Sequence, residues 1–447
     1  MSNIKPKIKL RPLCVSSNKI KLRPLCVSSN KIIKYIDLFC GIGGFRQAIE
    51  NFNNKQNKYQ FKCVLSCDIK QDALNVYNLN FKENNVPLDI QSIKSIGEFD
   101  LLCAGFPCQP WSSAGSRQGF MDRRGNMIYN IIDICQKYHP STIILENVPN
   151  LETINGGKTL ELILNEFKTI GYNLDYKIIN SKDFGIPQDR KRLFIVGQLN
   201  THMIDFDLLI PRPTIFLNNI IEYDKTTTNI PQILYKQLID LNTTRPIEGC
   251  SLKDKRGGLM NINSWDLSLN GSLSEEQKDL MRKIMTERRK KHWAEKKQII
   301  WMDGMPLTLS EIETFCAIDK PQLMLILDDL VNKKYLKIEK PKDLINNKRI
   351  YKDDAEAGYN ICKGKLSFPL SQILDKNSIA PTLTATDSCK LVIHFDKCIR
   401  YLTPTEMKRI CGFPDNYLVP DNANYCDLFG NMVCPPVVEA ILDIIYV

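Results

Sequence analysis

Short apolar runs alternate with amphipathic stretches along residues 34–200, and this alternation predicts the secondary structure of the first half of the chain. Runs rich in branched and aromatic side chains predict strands at 35–39, 63–67, 101–104, 142–145, 177–180 and 193–196. Helices are predicted between them, most clearly over 45–51 and 73–79. Because strands that alternate with helices form parallel sheets covered on both faces, we predict an α/β fold with a doubly wound, mostly parallel sheet.

The alternation stops near residue 200, and residues 201–400 are predicted to form a second, mixed domain. Within it Ser272–Lys297 has helical periodicity, with Ser274 as its N-cap. The basic second half of this helix, which includes Arg288–Lys291, is expected to contact phosphates. The next segments predict a helix, a helix, a strand and a Lys- and Asn-rich wing, at 309–315, 321–334, 335–338 and up to 351. This order resembles a winged helix-turn-helix, but a helical hairpin that packs only within its own domain explains it equally well.

The N-terminal segment is an exact duplication: residues 8–19 recur unchanged as residues 20–31. Nine Lys or Arg residues precede Asp37, the first acidic residue. A duplicated segment with one Pro per copy and few large side chains cannot define a packed core, so residues 1–31 are predicted to be an arm outside the catalytic fold. Its charge suits attraction to phosphates, although a duplication without consequence is the simpler explanation.

Composition excludes several classes of protein. No apolar run reaches membrane-spanning length, and the basic N-terminus lacks the apolar core of a signal peptide. The 16 cysteines include no Cys-x-x-Cys pair and only 4 histidines are present, which argues against a zinc site and a disulfide framework. We therefore expect a cytoplasmic protein with reduced thiols, no metal and no membrane association. The formal net charge of +10 favours a polyanionic partner without identifying it.

The segment 104–112, AGFPCQPWS, carries the clearest chemical signal. Gly105 ends a buried strand, and Pro107 and Pro110 stiffen the loop around Cys108. A cysteine held on a rigid loop at a strand end is typical of a nucleophile. Taken alone, however, a free cysteine in such a loop is more often a small buried hydrophobic residue.

Further polar clusters lie at other strand ends. The segment 37–44, DLFCGIGG, places glycines where the backbone must approach a ligand closely. Asp68 and Asp89 end the following strands, where a carboxylate can accept hydrogen bonds from a ribose or from an adenine amino group. Other charged residues flank buried strands, where an unpaired charge is costly: Glu146, Arg190 and Arg192. Caps and surface salt bridges are the alternative explanation for each of these residues.

Taken together, these clusters resemble the motifs of the C5-cytosine DNA methyltransferase family, over residues 34–197 and again from Arg400 to the C-terminus. DLFCGIGG resembles the motif that binds S-adenosylmethionine. GFPCQPWS, ENVPN and QDRKR resemble the nucleophile, glutamate and arginine motifs, in the family's order. GNMV at 430–433 resembles the final motif, and PTLT at 381–384 resembles the element that ends the recognition region. The resemblance implies a class I, Rossmann-like methyltransferase that transfers a methyl group from S-adenosylmethionine to C5 of cytosine in double-stranded DNA.

The resemblance also implies residue roles. Cys108 attacks C6 of a flipped-out cytosine, Glu146 hydrogen-bonds its N3 and exocyclic amine, and Arg190 and Arg192 orient the base and polarise O2. The residues implied to bind the cofactor are Asp37, Phe39, Gly41, Ile42, Gly44, Asp68, Ile69, Asp89, Ile90, Pro107, Met127, Asn431 and Val433. Many relatives carry Glu at the position of Asp68, but the shorter side chain can still reach a ribose hydroxyl. The residues implied to contact DNA are Gln109, Ser112, Arg124, Thr382 and Leu383.

The implied organisation is a catalytic domain in two parts, 32–200 and 401–447, around a target-recognition domain at 201–400 with a possible winged-helix insert at 300–352. By analogy with the family we expect a monomeric bacterial protein, associated with the nucleoid through DNA, that works beside a restriction endonuclease in a restriction–modification system. A tRNA cytosine-5 methyltransferase of the same fold is one alternative, but the long variable region and the absence of a Cys-Phe-Thr element disfavour it. The other alternative, a catalytically inactive DNA-binding homologue, is disfavoured by the intact catalytic set.

Overall fold

A computed structural model describes residues 31–107, 127–253, 260–300, 304–345, 348–362 and 369–446 of the chain. The strands of its first half are β1 (Lys31–Leu38), β2 (Tyr59–Cys67), β3 (Leu101–Gly105), β4 (Thr142–Asn147), β5 (Tyr172–Asn180), β6 (Gln188–Asp189) and β7 (Lys191–Leu199). The helices between them are α1 (Gly44–Lys55), α2 (Gln71–Phe81), α3 (Met127–Tyr138) and α4 (Lys158–Thr169). The predicted strands are all present.

A six-stranded sheet in the order β2-β1-β3-β4-β7-β5 forms the centre of this half. Neighbouring strands from β2 to β4 are parallel, whereas β7 runs antiparallel to both β4 and β5. The predicted α/β fold with a mostly parallel sheet is therefore confirmed. Strands β1, β2 and β5 begin four or five residues earlier than predicted, because their first residues alternate between buried and exposed positions rather than forming an apolar run.

Both faces of the sheet are buried, since alternate residues of each strand point to opposite sides. Tyr35 and Ile144 belong to the core that α1 forms with the C-terminal segment. Ile36 and Ile143, one residue away, belong to the core formed with α3 and α4. This two-sided burial is why the strands read as continuous apolar runs in the sequence.

The second half of the described chain contains a smaller sheet that carries an inserted helical segment. The elements in chain order are α5 (Gln232–Asn242), β8 (Ser251–Leu252), β9 (Asn261–Ile262), α6 (Glu275–Glu287), α7 (Lys291–Lys296), α8 (Leu309–Glu313), α9 (Lys320–Asn332), β10 (Leu336–Glu339), β11 (Lys342–Ile345), β12 (Lys348–Tyr351), β13 (Gly358–Ile361), β14 (Gln372–Leu374), β15 (Ala380–Pro381), β16 (Leu391–Phe395) and β17 (Cys398–Tyr401). Strands β17-β16-β14-β8-β9 form one sheet, over which α5 packs.

The segment between β9 and β14 has its own apolar core, which draws residues from Trp265 to Ile361. The insert is therefore wider than the predicted 300–352, because α6 and α7 contribute Met281 and Trp293 to the same core. The predicted order of helix, helix, strand and hairpin is confirmed by α8, α9, β10 and the antiparallel pair β11–β12.

The prediction of a single helix over Ser272–Lys297 is wrong. Ser274 does cap α6, in a capping box with Gln277. The helix ends at Glu287, however, and α7 starts only after Lys290, whose backbone is extended. Arg288 is 2% exposed, so the expectation that the whole Arg288–Lys291 cluster contacts phosphates is wrong for this residue.

The C-terminal elements return to the first sheet. They are α10 (Pro404–Ile410), α11 (Tyr425–Gly430) and α12 (Pro435–Tyr446). Helix α12 packs on α1, where its buried Glu439 pairs with Lys55 and accepts a hydrogen bond from Asn51. One stretch, Tyr425–Tyr446, is apolar and long enough to cross a membrane by composition, but it is divided between α11 and α12 and 72% buried in the protein.

The main core crosses the predicted domain boundaries. Phe206 and Leu217 on one side, and Ile393 on the other, belong to the same buried cluster as α1 and α12. One buried cluster therefore continues across residues 200 and 400, and the division into catalytic and recognition domains stays a prediction. The predicted arm at 1–31 lies, except for Lys31, outside the described residues.

Candidate active site

A cavity of about 370 Å³ lies beyond the C-terminal ends of β1 to β4. Each of these strands continues directly into its lining, at Phe39, Asp68, Phe106 and Val148. The ends of parallel strands are where ligands bind in open α/β sheets, and the volume suits a small organic molecule. The cavity is therefore the candidate active site.

The glycine-rich turn after β1 and the carboxylate of Asp68 are held together. Asp68 Oδ2 accepts a hydrogen bond from the Gly41 amide at 2.9 Å, and Asp68 Oδ1 accepts one from the Lys70 amide at 2.8 Å. Phe39 and Gly41 have φ values of 55° and 53°, in the left-handed region. The turn can thus bring its backbone against a ligand while it fixes the carboxylate at the mouth of the cavity.

The lining fits the S-adenosylmethionine that the motifs implied. Asp68 and Asp89 supply carboxylate oxygens for hydroxyl and amino donors, and Leu88 and Ile90 supply apolar walls for a heteroaromatic ring. Ten of the implied cofactor residues line the cavity: Phe39, Gly41, Ile42, Asp68, Ile69, Asp89, Ile90, Pro107, Met127 and Asn431.

Asp37, Gly44 and Val433 are not among the residues that line the cavity, and their contact with the cofactor stays a prediction. The Asp37 side chain is fully buried, near the charged groups of Arg46 and Asp68. Gly44 and Val433 lie behind the glycine turn, and a Cβ atom added to Gly44 would overlap the carbonyl oxygen of Val433. Their role is to let the C-terminal segment close against α1.

We expect Gly44→Ala to weaken cofactor binding and to lower stability by about 1–3 kcal/mol, because the added methyl group must displace the backbone at Val433. Isothermal titration with S-adenosylmethionine and thermal unfolding measure the two effects. Gly97→Ala is the matched control, because a Cβ there meets nothing within 4 Å. Equal behaviour of the two variants would contradict the tight contact between Gly44 and Val433.

Burial raises the pKa of Asp37 from 3.8 to about 8, with Asp68 adding to the rise and Arg46 opposing it. The folded protein therefore binds one more proton than the unfolded chain between about pH 4 and pH 8. The free energy of unfolding is thus expected to fall as pH rises through this window.

We expect Asp37→Asn to flatten this pH dependence and to raise the free energy of unfolding at pH 8 by at least about 2 kcal/mol, since one pKa unit corresponds to about 1.4 kcal/mol. Near pH 4 the variant and the wild type should be similar. Urea unfolding between pH 4 and pH 9 measures the difference, with Asp72→Asn on the exposed face of α2 as the control. If the free energy of unfolding of Asp37→Asn changed with pH as it does in the wild type, the Asp37 carboxyl would not be the cause of the pH dependence.

A carboxylate and a guanidinium meet at one end of the cavity. Glu146 Oε1 lies 3.1 Å from Arg192 Nε, and their side chains are 11% and 16% exposed. The pair forms because β7 is antiparallel to β4, which places the start of β7 beside the end of β4. Burial raises the pKa of Glu146, and the charges of Arg192 and Arg190 oppose that rise. Burial also lowers the pKa of Arg192 to about 10, with the Arg190 charge adding to the effect.

Arg190 lines the cavity and is also bonded to the surrounding backbone. It is 2% exposed, and its terminal nitrogens donate hydrogen bonds to three backbone carbonyls. These belong to Leu383 at 3.1 Å, Gly430 at 3.2 Å and Met432 at 2.7 Å. Its donors join the end of the recognition region to the final motif, and its contact with O2 of the base stays a prediction.

The Pro-Thr-Leu element docks on the arginine motif. Strand β15 pairs in parallel with β6, the Thr382 hydroxyl donates to the Asp189 carbonyl at 2.6 Å, and the Leu383 amide donates to the Gln188 side chain at 3.1 Å. Leu383 is fully buried, and its contact with DNA stays a prediction. Contact between DNA and Thr382, which is half-buried, stays a prediction.

Four implied residues lie outside the described residues: Cys108, Gln109, Ser112 and Arg124. The described residues on either side of that segment, Pro107 and Met127, both line the cavity. In the described ranges no group of three or more His, Cys, Asp or Glu residues is arranged to hold a metal ion.

Three residues that the motifs did not single out also shape the site. Asn147 Nδ2 donates to the Phe106 carbonyl at 3.1 Å and so ties the end of β4 to the segment that leads to Cys108. Lys70 Nζ lies 3.0 Å from Asp427 Oδ2, and both residues line the cavity. The position of Asn147 directly after Glu146 was a usable signal, but nothing local in the sequence indicates that Lys70 and Asp427 meet.

Comparison with known proteins agrees with the site. A sequence profile of the family described as C-5 cytosine-specific DNA methylase matches residues 33–446. The chain is 42% identical to the type II methyltransferase M.NlaIV of Neisseria lactamica, over 92% of this chain and 98% of that relative. It is 34% identical to the type II methyltransferase M.BanI of Aneurinibacillus aneurinilyticus, over 92% of this chain and 95% of that relative.

Solved structures with a similar fold include the Dnmt2 methyltransferase of S. pombe, with a TM-score of 0.51 and 16% identity over 93% of this chain and all of that one. The EhMeth methyltransferase of Entamoeba histolytica also has a TM-score of 0.51, with 15% identity over 93% of this chain and 98% of that one. At these identities the likeness concerns the fold alone.

Proposed function

The chain belongs to the C-5 cytosine-specific DNA methylase family, and from this premise we propose how its residues carry out the reaction. The protein is a DNA (cytosine-5-)-methyltransferase that uses S-adenosylmethionine. We propose a covalent mechanism in which Cys108 is the nucleophile and the Glu146–Arg192 pair holds the target base. The observation that carries the proposal is the position of that pair at the end of the cavity lined by Pro107, the residue before Cys108.

C5 of cytosine is a poor nucleophile, so the ring must be activated before methylation. In the proposed mechanism the Cys108 thiolate forms a bond to C6, and the electron pair of the C5=C6 bond moves toward N3. The Glu146 carboxyl, whose raised pKa favours the protonated form, gives N3 a proton as this charge arrives. C5 of the resulting enamine is then nucleophilic.

S-adenosylmethionine held by the residues of the cavity would supply a sulfonium methyl group: the bond from sulfur to the methyl carbon would break as the bond from C5 forms, leaving S-adenosylhomocysteine. The C5 proton is then lost to a base, the C5=C6 bond re-forms, and the Cys108 sulfur leaves as the thiolate. Arg192 is assigned to orient the base through its carbonyl oxygen, next to Glu146. Arg190, which also lines the cavity, is proposed to orient the base with Arg192, while its bonds to backbone carbonyls hold the surrounding segments.

The target atom is inaccessible inside a duplex, so we propose that the cytosine is flipped out of the helix into the space beside Glu146. Gln109, Ser112, Arg124 and Thr382 are proposed to contact the DNA around the flipped base. A substrate duplex with 2-aminopurine beside the target cytosine tests the flipping step, because its fluorescence rises when its stacking neighbour leaves. No rise on productive binding would contradict flipping.

One assay separates the proposed function from its alternatives. The protein is incubated with tritiated S-adenosylmethionine and either duplex DNA or tRNA, and the methylated base is mapped. We expect label on C5 of cytosine in DNA only. Label on tRNA would favour the RNA methyltransferase, and no transfer to any cytosine-containing substrate would favour an inactive DNA-binding homologue.

We further propose that the protein acts in bacterial cytoplasm as a monomer, beside a restriction endonuclease whose site it protects. The support is that its relatives are named type II methyltransferases and come from bacteria. Sedimentation analysis of the protein alone and with duplex DNA tests the monomer. Digestion of DNA from cells that express the protein, with endonucleases of different sequence specificity, tests the protection.

A further inference from the structure

The helical insert between β9 and β14 has an uneven distribution of charge. Residues 333–352, which include the β11–β12 hairpin, contain eight Lys or Arg residues and two acidic residues. Helix α9 contains one Lys and two Asp residues. A polyanion such as DNA would therefore meet a basic surface at residues 333–352 and a weakly acidic one at α9.

The middle of the exposed face of α9 is unsuited to DNA. It carries Met324 and Leu325, which are 45% and 67% exposed, and the exposed acidic residue Asp328. A helix that enters the major groove needs donors for base edges and no negative charge near the phosphates. Between Leu323 and Val331 the helix offers DNA no donor side chain and no cation, and its exposed donors are confined to Lys320 and Gln322 at its start and Asn332 at its end.

The hairpin has the opposite character. Lys348 and Arg349 are the first two residues of β12, in which all four residues are exposed, and among the described residues neither side chain has an ionic or hydrogen-bonding partner. Lys342 covers the ring of Tyr351 across the hairpin, with Nζ 4.4 Å from the ring centroid. The register of β11 and β12 places Arg349 on the same face as the Lys342–Tyr351 pair and Lys348 on the opposite face, so each face of the hairpin presents an unpaired cation that attracts phosphates.

The base of the hairpin is fixed to the neighbouring basic helix. The Ile300 amide donates to Asp343 Oδ1 at 3.0 Å, and Lys352 Nζ donates to the carbonyls of Lys297 and Gln298 at 3.1 and 3.3 Å. These contacts place the hairpin next to the end of α7, where Lys296 lies over the Trp293 ring at 5.6 Å. The orientation of the hairpin relative to the insert is therefore set by the fold, as a rigid DNA contact requires.

We propose that the β11–β12 hairpin, and not α9, is the part of the insert that contacts duplex DNA, by binding phosphates through Lys348 and Arg349. The inference rests on the proposed function, since it assumes that the chain engages duplex DNA for methylation. Phosphate contacts position a protein without reading bases. We therefore assign the hairpin to the strength of DNA binding and to the position of the protein on the duplex. Other parts of the recognition region would read the base sequence.

The test compares two double variants of the full chain. Lys348→Ala with Arg349→Ala removes the hairpin cations, and Lys320→Ala with Gln322→Ala alters the exposed start of α9 as the control. Fluorescence anisotropy measures the Kd for labelled duplexes with and without a methylation site, over a range of salt concentrations. We expect the hairpin variant to bind every duplex about 10-fold more weakly at low salt, and its salt slope to decrease by about 2, because each phosphate contact contributes about 0.9. The α9 variant should match the wild type.

Either of two outcomes overturns the proposal: a salt slope for the hairpin variant equal to that of the wild type, or an equal loss of binding in the α9 variant. Thermal unfolding of both variants shows whether a loss of binding comes from a loss of structure. The double variant Lys348→Glu with Arg349→Glu provides a second comparison, in which the loss of DNA binding must be larger than in the double alanine variant. A separate experiment tests the proposed mechanism: if the wild type formed no covalent adduct with DNA that contains 5-fluorocytosine, the mechanism would be wrong whatever the hairpin does.

Discussion

Cys108→Ser is expected to lower the rate of DNA methylation by at least about three orders of magnitude, because a serine hydroxyl is far less nucleophilic than a thiolate and the attack on C6 is lost. Binding of S-adenosylmethionine should remain, because the described part of the cofactor cavity is complete without this side chain. Incorporation of tritium from the labelled cofactor into duplex DNA measures the rate, and isothermal titration measures cofactor binding.

A covalent trap makes this prediction specific to the nucleophile. In DNA that contains 5-fluorocytosine, fluorine replaces the C5 proton, so the thiolate cannot be eliminated after methyl transfer and the wild type should form a denaturant-stable adduct. Cys108→Ser should form none, whereas Cys389→Ser, at an exposed cysteine, should behave like the wild type. A stable adduct formed equally well by Cys108→Ser would show that the nucleophile is another residue.

Local sequence was sufficient to predict the sheet and the edge at which the ligand cavity lies. Strands buried on both faces appear as short apolar runs, and the polar residues that follow them, such as Asp68 and Glu146, meet at one edge because the strands are parallel. The predicted strand starts were wrong where one face of the strand is exposed, as in β2, because polar residues such as Lys62 interrupt the apolar run there.

The roles of Arg190 and Asp37 could not be predicted in this way. Arg190 bonds to carbonyls 193 to 242 residues further along the chain, and no local pattern shows that these segments converge on it. Asp37 belongs to a motif implied to bind the cofactor, but its carboxyl is fully buried near Arg46 and Asp68 and is not part of the cavity lining. Motif membership indicated the right neighbourhood, and the direction of each side chain decided which residues reach the cavity.

The insert between β9 and β14 shows a third limit. The order of its elements was predictable from periodicity and capping residues, including Ser274. Its extent was not, because α6 and α7 belong to it through packing against α9 rather than through any feature of their own sequence. The resemblance to a winged helix-turn-helix also concerned the order of elements only, and it is the exposed side chains that distinguish the hairpin from α9 as a DNA contact.

Glu146→Gln is the second substitution with a large expected effect. Glutamine keeps the size of the side chain, a donor toward N3 and an acceptor for the exocyclic amine, so binding of DNA and cofactor should change little. It cannot transfer a proton to N3 as electron density arrives from the attack on C6. The maximal rate is therefore expected to fall about 10²- to 10⁴-fold, the usual contribution of general acid–base catalysis. Glu161→Gln, on the exposed face of α4, is the matched control.

The pH profile distinguishes this role from a structural one. Burial raises the pKa of Glu146, and the carboxyl is active in its protonated form, so wild-type activity should decline on the alkaline side as this group ionises. The decline on the acid side reflects protonation of the attacking thiolate and should persist in both proteins. Glu146→Gln should lose the alkaline decline, because an amide does not titrate. Single-turnover methylation measured from pH 5.5 to pH 9.5 checks this, and the same alkaline decline in the glutamine variant would show that another group controls it.

Arg192→Lys offers an independent check, and we expect it to move the alkaline decline to higher pH. Lysine is a weaker, monodentate cation here and stabilises the Glu146 carboxylate less. Because the opposing charge is then smaller, burial raises the pKa of Glu146 further.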